Sequence, residues 1–174
     1  SSWLYNLNAG SPSQVVTISN VTDDVAPSTG WVNSGSATND PTPLLTGTLS
    51  ALLTTGDVLR IFSNGTALGT AAVTVNTTSN TYNWTYTTSA LGTSTANPTY
   101  TLTAAVVDAA GNIGTPSAAW TLVLDTTNPG QTVVINDLLD DDASDTSGQT
   151  GSVNSGGSTN DTTPTLTGLS LIHI

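Results

Sequence analysis

Large residues alternate with threonine through Tyr100-Thr101-Leu102-Thr103-Ala104-Ala105-Val106, and alternation returns in Trp120-Thr121-Leu122-Val123-Leu124. A period of two sends successive side chains to opposite faces of a strand, so Tyr100, Leu102 and Val106, then Trp120, Leu122 and Leu124, are expected on a buried face. The same reading predicts about seven strands, near 15–22, 43–50, 57–63, 67–75, 82–88, 99–108 and 117–125. Gly, Asn, Pro and Ser separate them, and Asn64-Gly65 between two apolar runs signals a tight turn. Short antiparallel strands at this spacing predict an all-β sandwich.

The chain also repeats itself. Thr38-Asn39-Asp40-Pro41-Thr42-Pro43 recurs as Thr159-Asn160-Asp161-Thr162-Thr163-Pro164, and Leu45-Thr46-Gly47 as Leu166-Thr167-Gly168, at an offset of 121 residues. Val32-Asn33-Ser34-Gly35 matches Val153-Asn154-Ser155-Gly156 at the same offset. Further upstream Trp3 pairs with Trp120, Ile18 with Ile135 and Asp23-Asp24 with Asp140-Asp141 at 117, and a four-residue insertion near Asp145–Gln149 accounts for the difference. Solenoid repeats run about 20–50 residues whereas domains cluster near 100–150, so the period points to domains in tandem. On this reading 1–13 closes one domain and links it onward, 14–126 is a complete domain, and 127–168 begins a third, truncated one. Leu169–Ile174, Leu-Ser-Leu-Ile-His-Ile, reads like the translation of a sequencing-library adapter, which would take with it the single histidine, His173; the competing reading is a natural C-terminal strand.

Composition narrows the classes of function. Only 7% of residues are charged, there is no Glu and no Lys, Arg60 is the sole cation beside twelve Asp, and the net charge is −11. Nucleic-acid binding needs clustered Lys and Arg to release counterions, and an anionic membrane repels such a chain, so neither partner is expected. No cysteine is present, which excludes disulfides and thiolate metal sites. No apolar run approaches the roughly 20 residues of a membrane span, and Ser1–Gly10 lacks the basic start of a signal peptide.

Five motifs in order carry a resemblance: Asn39-Asp40-Pro41-Thr42-Pro43 with Leu45-Thr46-Gly47; Asn83-Trp84-Thr85-Tyr86; Tyr100-Thr101-Leu102; Asp108-Ala109-Ala110-Gly111-Asn112; and Leu124-Asp125-Thr126-Thr127. Together they resemble the bacterial immunoglobulin-like repeat domains of giant secreted adhesins and biofilm proteins, over nearly all of 14–126 and again in the partial repeat. The resemblance implies an immunoglobulin-like sandwich repeated in tandem, an extracellular or cell-surface location, and a role as a calcium-stiffened spacer whose partners are neighbouring repeats. One position departs: Asn8 stands where Asp125 stands in the next copy, which weakens the expectation of calcium at the first linker.

The acids fall in loops. Counting strands as alternately up and down puts Asp23, Asp24, Asn39 and Asp40 at the pole where the last strand ends with Asp125, and puts Asp108 to Asn112 at the opposite pole near Asp57. Unneutralised carboxylates repel by about 1 kcal/mol per pair at 4 Å in water, and a hard cation reverses that sign. Ca²⁺ takes about 6–8 oxygens from carboxylates, amide carbonyls and backbone, so Asp23, Asp24, Asn39, Asp40 and Asp125, with Asp108 and Asn112 as a second set, are the candidate ligands. The competing reading is that these Asp residues only form turns, and that Asp108–Asn112 is a tight loop with Gly111 at positive φ. A denser acidic copy, Asp137, Asp140, Asp141, Asp142 and Asp145, occupies the third domain.

Catalysis is not expected. A hydrolase needs a polarised pair or triad, and the chain has no Glu, no Cys and only His173 to act as base. Paired Asp residues would suit a glycosidase, but the pair recurs in each repeat, as a joint would. Trp84 and Trp120 lie in alternating strands and are expected in the core, whereas Trp31 lies in a polar loop where a surface role is open. Two further functions remain in view: an accessory or carbohydrate-binding module of a secreted polysaccharide-active enzyme, and an adhesive tip that binds sugar through exposed aromatics.

Overall fold

A computed structural model describes residues 10–76, 78–79, 81–92, 98–142 and 150–170, and these contain strands and turns without helix. The chain divides into two compact units, Ser1–Thr127 and Asn128–Ile174.

In the first unit β1 (Val16–Asp23), β2 (Gly30–Trp31), β4 (Leu44–Leu49), β7 (Ala72–Asn76) and β8 (Thr81–Thr87) form one sheet in the order β2-β1-β4-β8-β7. The second sheet contains β3 (Ala37–Thr38), β5 (Val58–Ser63), β6 (Thr66–Thr70), β9 (Thr99–Val107) and β10 (Trp120–Leu124), in the order β3-β10-β9-β5-β6. All pairings are antiparallel except β3 with β10. Alternation does what the pattern predicts: Val21, Leu45 and Trp84 from the first sheet meet Leu59, Ile61, Leu102, Val106, Leu122 and Leu124 from the second, each at most 2% exposed. Each such side chain contributes about 1.5–3 kcal/mol relative to exposure, which makes this layer the chief source of stability.

The expected strand 67–75 is two strands in different sheets. β6 pairs with β5, β7 pairs with β8, and the chain crosses between them at Ala71, which is buried and donates its N–H to the Leu59 carbonyl at 2.8 Å. Small residues permit the crossing: a Cβ on Gly69 would lie 2.6 Å from the Tyr86 hydroxyl, so the ring of Tyr86 in the opposite sheet occupies the space that Gly69 leaves. Alternation is blind to this event, because the chain keeps running the same way while it changes partner. The expected loop between the first two long strands also contains β2 and β3, one in each sheet.

Trp84 is fully buried and its indole N–H donates to the Thr17 carbonyl at 3.1 Å, whereas Trp120 is only half-buried at the rim of the core. Asn64 (φ 49°) and Gly65 (φ 80°) make the tight turn between β5 and β6, both in the left-handed region that this hairpin requires.

The second unit holds a three-stranded sheet, β12-β11-β13, from β11 (Val133–Asp140), β12 (Gly151–Ser152) and β13 (Thr165–Ser170). Its register reproduces β2-β1-β4: Val16↔Leu49 and Ile18↔Gly47 become Val133↔Ser170 and Ile135↔Gly168, and the irregularity between Ile18 and Asn20 recurs between Ile135 and Asp137. One difference follows from the absence of a facing sheet among its described residues. Val16 and Leu45 are at most 4% exposed, but their counterparts Val133 and Leu166 are 73% and 60% exposed. Leu169 and Ser170, from the adapter-like segment, extend β13 against Val134 and Val133. Asn8, Asp145 and His173 lie outside the described residues.

Candidate functional site: two acidic poles

The first pole is built around Asp23, the last residue of β1, and Asp40, just after β3. Asp23 is 5% exposed and both its oxygens are engaged: Val25 N donates to Oδ1 at 2.8 Å and Thr38 Oγ1 donates to Oδ2 at 2.5 Å. Asp40 is fully buried, and its Oδ1 receives Thr42 N at 2.7 Å and Thr42 Oγ1 at 3.2 Å, while Asp24 N lies 3.5 Å from Oδ2. Each carboxylate accepts the N–H two residues on, the local turn that Asp favours, and this pulls the charged group inward against its own loop. Asn39 donates its side-chain N–H to the Ala26 carbonyl at 2.9 Å, tying the two halves of the loop together.

Thr38 is the hub. Besides holding Asp23, its hydroxyl accepts the Asp40 N–H at 3.1 Å, and its carbonyl accepts the Asp125 N–H at 2.8 Å. Through β3, therefore, Asp125 at the end of β10 joins Asp23, Asp24, Asn39 and Asp40 at one pole. The Asp125 carboxylate caps the following turn by accepting Thr127 N at 3.0 Å. Asp24 is exposed, Asn39 and Asp125 are half-exposed, and these are the members that face water.

The second pole is a tight loop after β9. Asp108 Oδ1 accepts Ala110 N at 2.9 Å and Asn112 N at 2.8 Å, its Oδ2 accepts Asn112 Nδ2 at 2.9 Å, and Gly111 takes φ 91°. These bonds favour the ionised form, the Asn112 side chain foremost, and hold the Asp108 carboxyl below the ordinary 3.8 although burial opposes them. Asp57 and Asp108 border a cleft of about 220 Å³ closed on another side by Gly10–Gln14.

The second unit repeats the bonds that Asp23, Asp40 and the Thr38 hydroxyl make in the first pole. Thr159 Oγ1 donates to Asp140 Oδ2 at 2.7 Å, Asp142 N to Asp140 Oδ1 at 3.2 Å, Thr163 N to Asp161 Oδ1 at 2.7 Å, Asp141 N to Asp161 Oδ2 at 3.3 Å, and Asp161 N to Thr159 Oγ1 at 3.0 Å. The Asp161 carboxyl is held low, chiefly by the Thr163 N–H. Sequence reasoning picked out the acids and missed Thr38 and Thr42; the signal was there, since both threonines recur in the second copy as Thr159 and Thr163.

Among the described residues, no group of three or more Asp, Glu, His or Cys side chains is arranged to hold a metal ion. The donor types nonetheless suit a hard cation: carboxylates whose oxygens each retain further lone-pair capacity beside amide and backbone carbonyls. Among the described residues no helix is long and apolar enough to cross a membrane. No protein-family model, no curated protein and no solved structure matches this chain.

Proposed function

We propose that the chain is a stretch of a tandem array of immunoglobulin-like sandwiches that acts as a non-catalytic extender in a secreted or surface-attached bacterial adhesin, supporting adhesion and biofilm formation. The observation that carries this reading is the duplicated acidic pole, with the same donors, acceptors and strand register in both units. A joint is repeated at every junction of an array, whereas duplicated chemistry has no comparable reason. The strand order supports the finer fold: β1-β4-β8-β7 facing β10-β9-β5 follows the A-B-E-D and G-F-C order of an immunoglobulin sandwich, with β6 beside β5. The second unit, whose sheet copies β2-β1-β4, is then the opening of a further sandwich whose second sheet would cover Val133, Ile135 and Leu166.

Calcium is the cofactor this reading assigns. Asp24, Asn39 and Asp125 offer the water-facing oxygens of the pole, and Asp23 and Asp40, held by Thr38 and Thr42, fix the loop behind them; the cation would supply charge neutralisation and rigidity. Asp108 and Asn112 satisfy each other within their own loop, which favours the turn-forming role for that pair. The test is a calcium titration of a protein carrying two complete repeats, read by thermal unfolding and by solution scattering. At tenfold excess over Kd, stabilisation is about 1.4 kcal/mol, a rise of roughly 5–10 °C for a domain of this size, together with lengthening of the particle. If neither quantity responds to millimolar Ca²⁺, the calcium joint is wrong.

A second reading rests on Trp31, which is 83% exposed and borders a cleft of about 110 Å³ with Ser28, Thr29, Asn33 and Ser36. Ser152 takes its place in the second unit, so the fold does not require the indole there. A carbohydrate-binding role predicts quenching of Trp31 fluorescence by soluble oligosaccharides, absent in Trp31→Ala.

A further inference from the structure

Edge strands expose unpaired backbone donors and acceptors, and proteins blunt them with short strands, bulges, charges or proline. Three of the four outer edges in the first unit are blunted in this way. β2 and β3 are two residues long, and β6 is broken by a register shift opposite Ile61 and Phe62. β7 is not: it is five residues, Ala72-Val73-Thr74-Val75-Asn76, paired without irregularity to β8 on one side and, among the described residues, to no strand on the other. It contains no charge, proline or glycine, and its composition is strongly strand-forming.

Charge distribution says what fits there. Between Arg60 and Asp108 the sequence contains no charged residue, and that stretch supplies β6, β7, β8 and β9. Within the first unit Asp23, Asp24, Asp40, Asp57, Asp108 and Asp125 therefore all lie off these four strands, so two copies of this unit repel through their acidic poles but meet along β7 with no charge on the paired strands. We propose that β7 is a self-association edge, at which a second copy of this chain adds its own β7 antiparallel to the first and joins two five-stranded sheets into one of ten.

A two-fold axis through the middle of the strand sets Thr74 opposite Thr74 of the second copy, with Ala72 opposite Asn76 and Val73 opposite Val75. Thr74 is exposed, whereas Val73 packs on the core, so the contact is made by backbone pairing and by the outward residues. An edge of five residues buries little area, so a single contact is weak. In an array it is multiplied by copy number. Because antiparallel addition reverses the poles, it joins arrays pointing in opposite directions, as from two facing surfaces; this consequence alone rests on the extender reading, and the pairing itself is tested without calcium.

The experiment is analytical ultracentrifugation of the whole chain up to about 0.5 mM, in chelator, at low and high salt, with near-ultraviolet circular dichroism to confirm folding. The expected result is reversible dimerisation that strengthens with salt, as screening removes the long-range repulsion between the poles. Thr74→Lys and Thr74→Asp, each placing like charges directly opposite, weaken it at least tenfold when alone, and an equimolar mixture of the two restores it. Asn76→Lys serves if either variant loses its folded signal. A monomeric wild type overturns the proposal, as does a Thr74→Lys variant that associates like wild type. So does a mixture that stays monomeric, or an association that Ile135→Lys abolishes while Thr74→Lys does not, which would trace it to the exposed face of the second unit.

Discussion

Gly47→Ala is the substitution that most directly tests how the core is assembled. Gly47 lies in β4 between Ile18 of β1 and Trp84 of β8, and a Cβ there would stand 1.9 Å from the Thr17 carbonyl oxygen and 2.5 Å from Cε2 and Cζ2 of Trp84. The oxygen is backbone and the indole is fully buried, so neither yields cheaply. Overpacking of a tight core costs about 1–3 kcal/mol. The same displacement stretches the bond from the Trp84 N–H to the Thr17 carbonyl, worth about 1 kcal/mol. The expected loss is about 2–4 kcal/mol, a fall in Tm of roughly 10–20 °C for a domain of this size. The sequence from Asn128 onward contains no tryptophan, so fluorescence-detected urea unfolding follows the buried Trp84 without a signal from the second unit. A loss below about 0.5 kcal/mol would refute the packing of the indole over Gly47. A double-mutant cycle with Trp84→Leu sharpens the test, since the double variant should lose less than the sum of the two single losses if the collision with the ring is real.

Other outcomes follow from the poles. Thr38→Val removes the donor to Asp23 and the acceptor of the Asp40 N–H while keeping the shape of the side chain; the expected cost is about 1–3 kcal/mol, and an unchanged unfolding midpoint would show that Thr38 is not the hub. Asp108, whose carboxyl is held low by Asn112 and the loop amides, stabilises the fold fully above the ordinary carboxylate value, and that contribution is lost as pH falls through its own lower value. Carbon-detected NMR titration of Asp108 should therefore give a value under 3.8 that rises in Asn112→Ala, and a titration at or above the ordinary value contradicts the bonding described.

Much of this was legible without coordinates because it depends on local period and recurrence. Tyr100 and Leu102 alternate with threonine over the half of β9 that buries one face, and the repeated Thr-Asn-Asp motif marked the first pole and its copy in the second unit before any loop was placed. Strand parity also put Asp125 at the same pole as Asp40, since an up-and-down count survives errors in strand boundaries. What the pattern did not contain is which strand neighbours which. The 67–75 run reads as one strand because alternation says nothing of partners, and only the space over Gly69, filled by Tyr86, shows where the chain leaves one sheet for the other. For the same reason Trp84 and Trp120 looked alike in sequence, yet the one lies fully buried over Gly47 and the other at the rim. Local sequence determines period, turn and charge, which are properties of a few consecutive residues. Tertiary structure decided the pairing, the buried hydrogen bonds of Thr38 and the unguarded edge of β7, because each depends on residues distant in the chain.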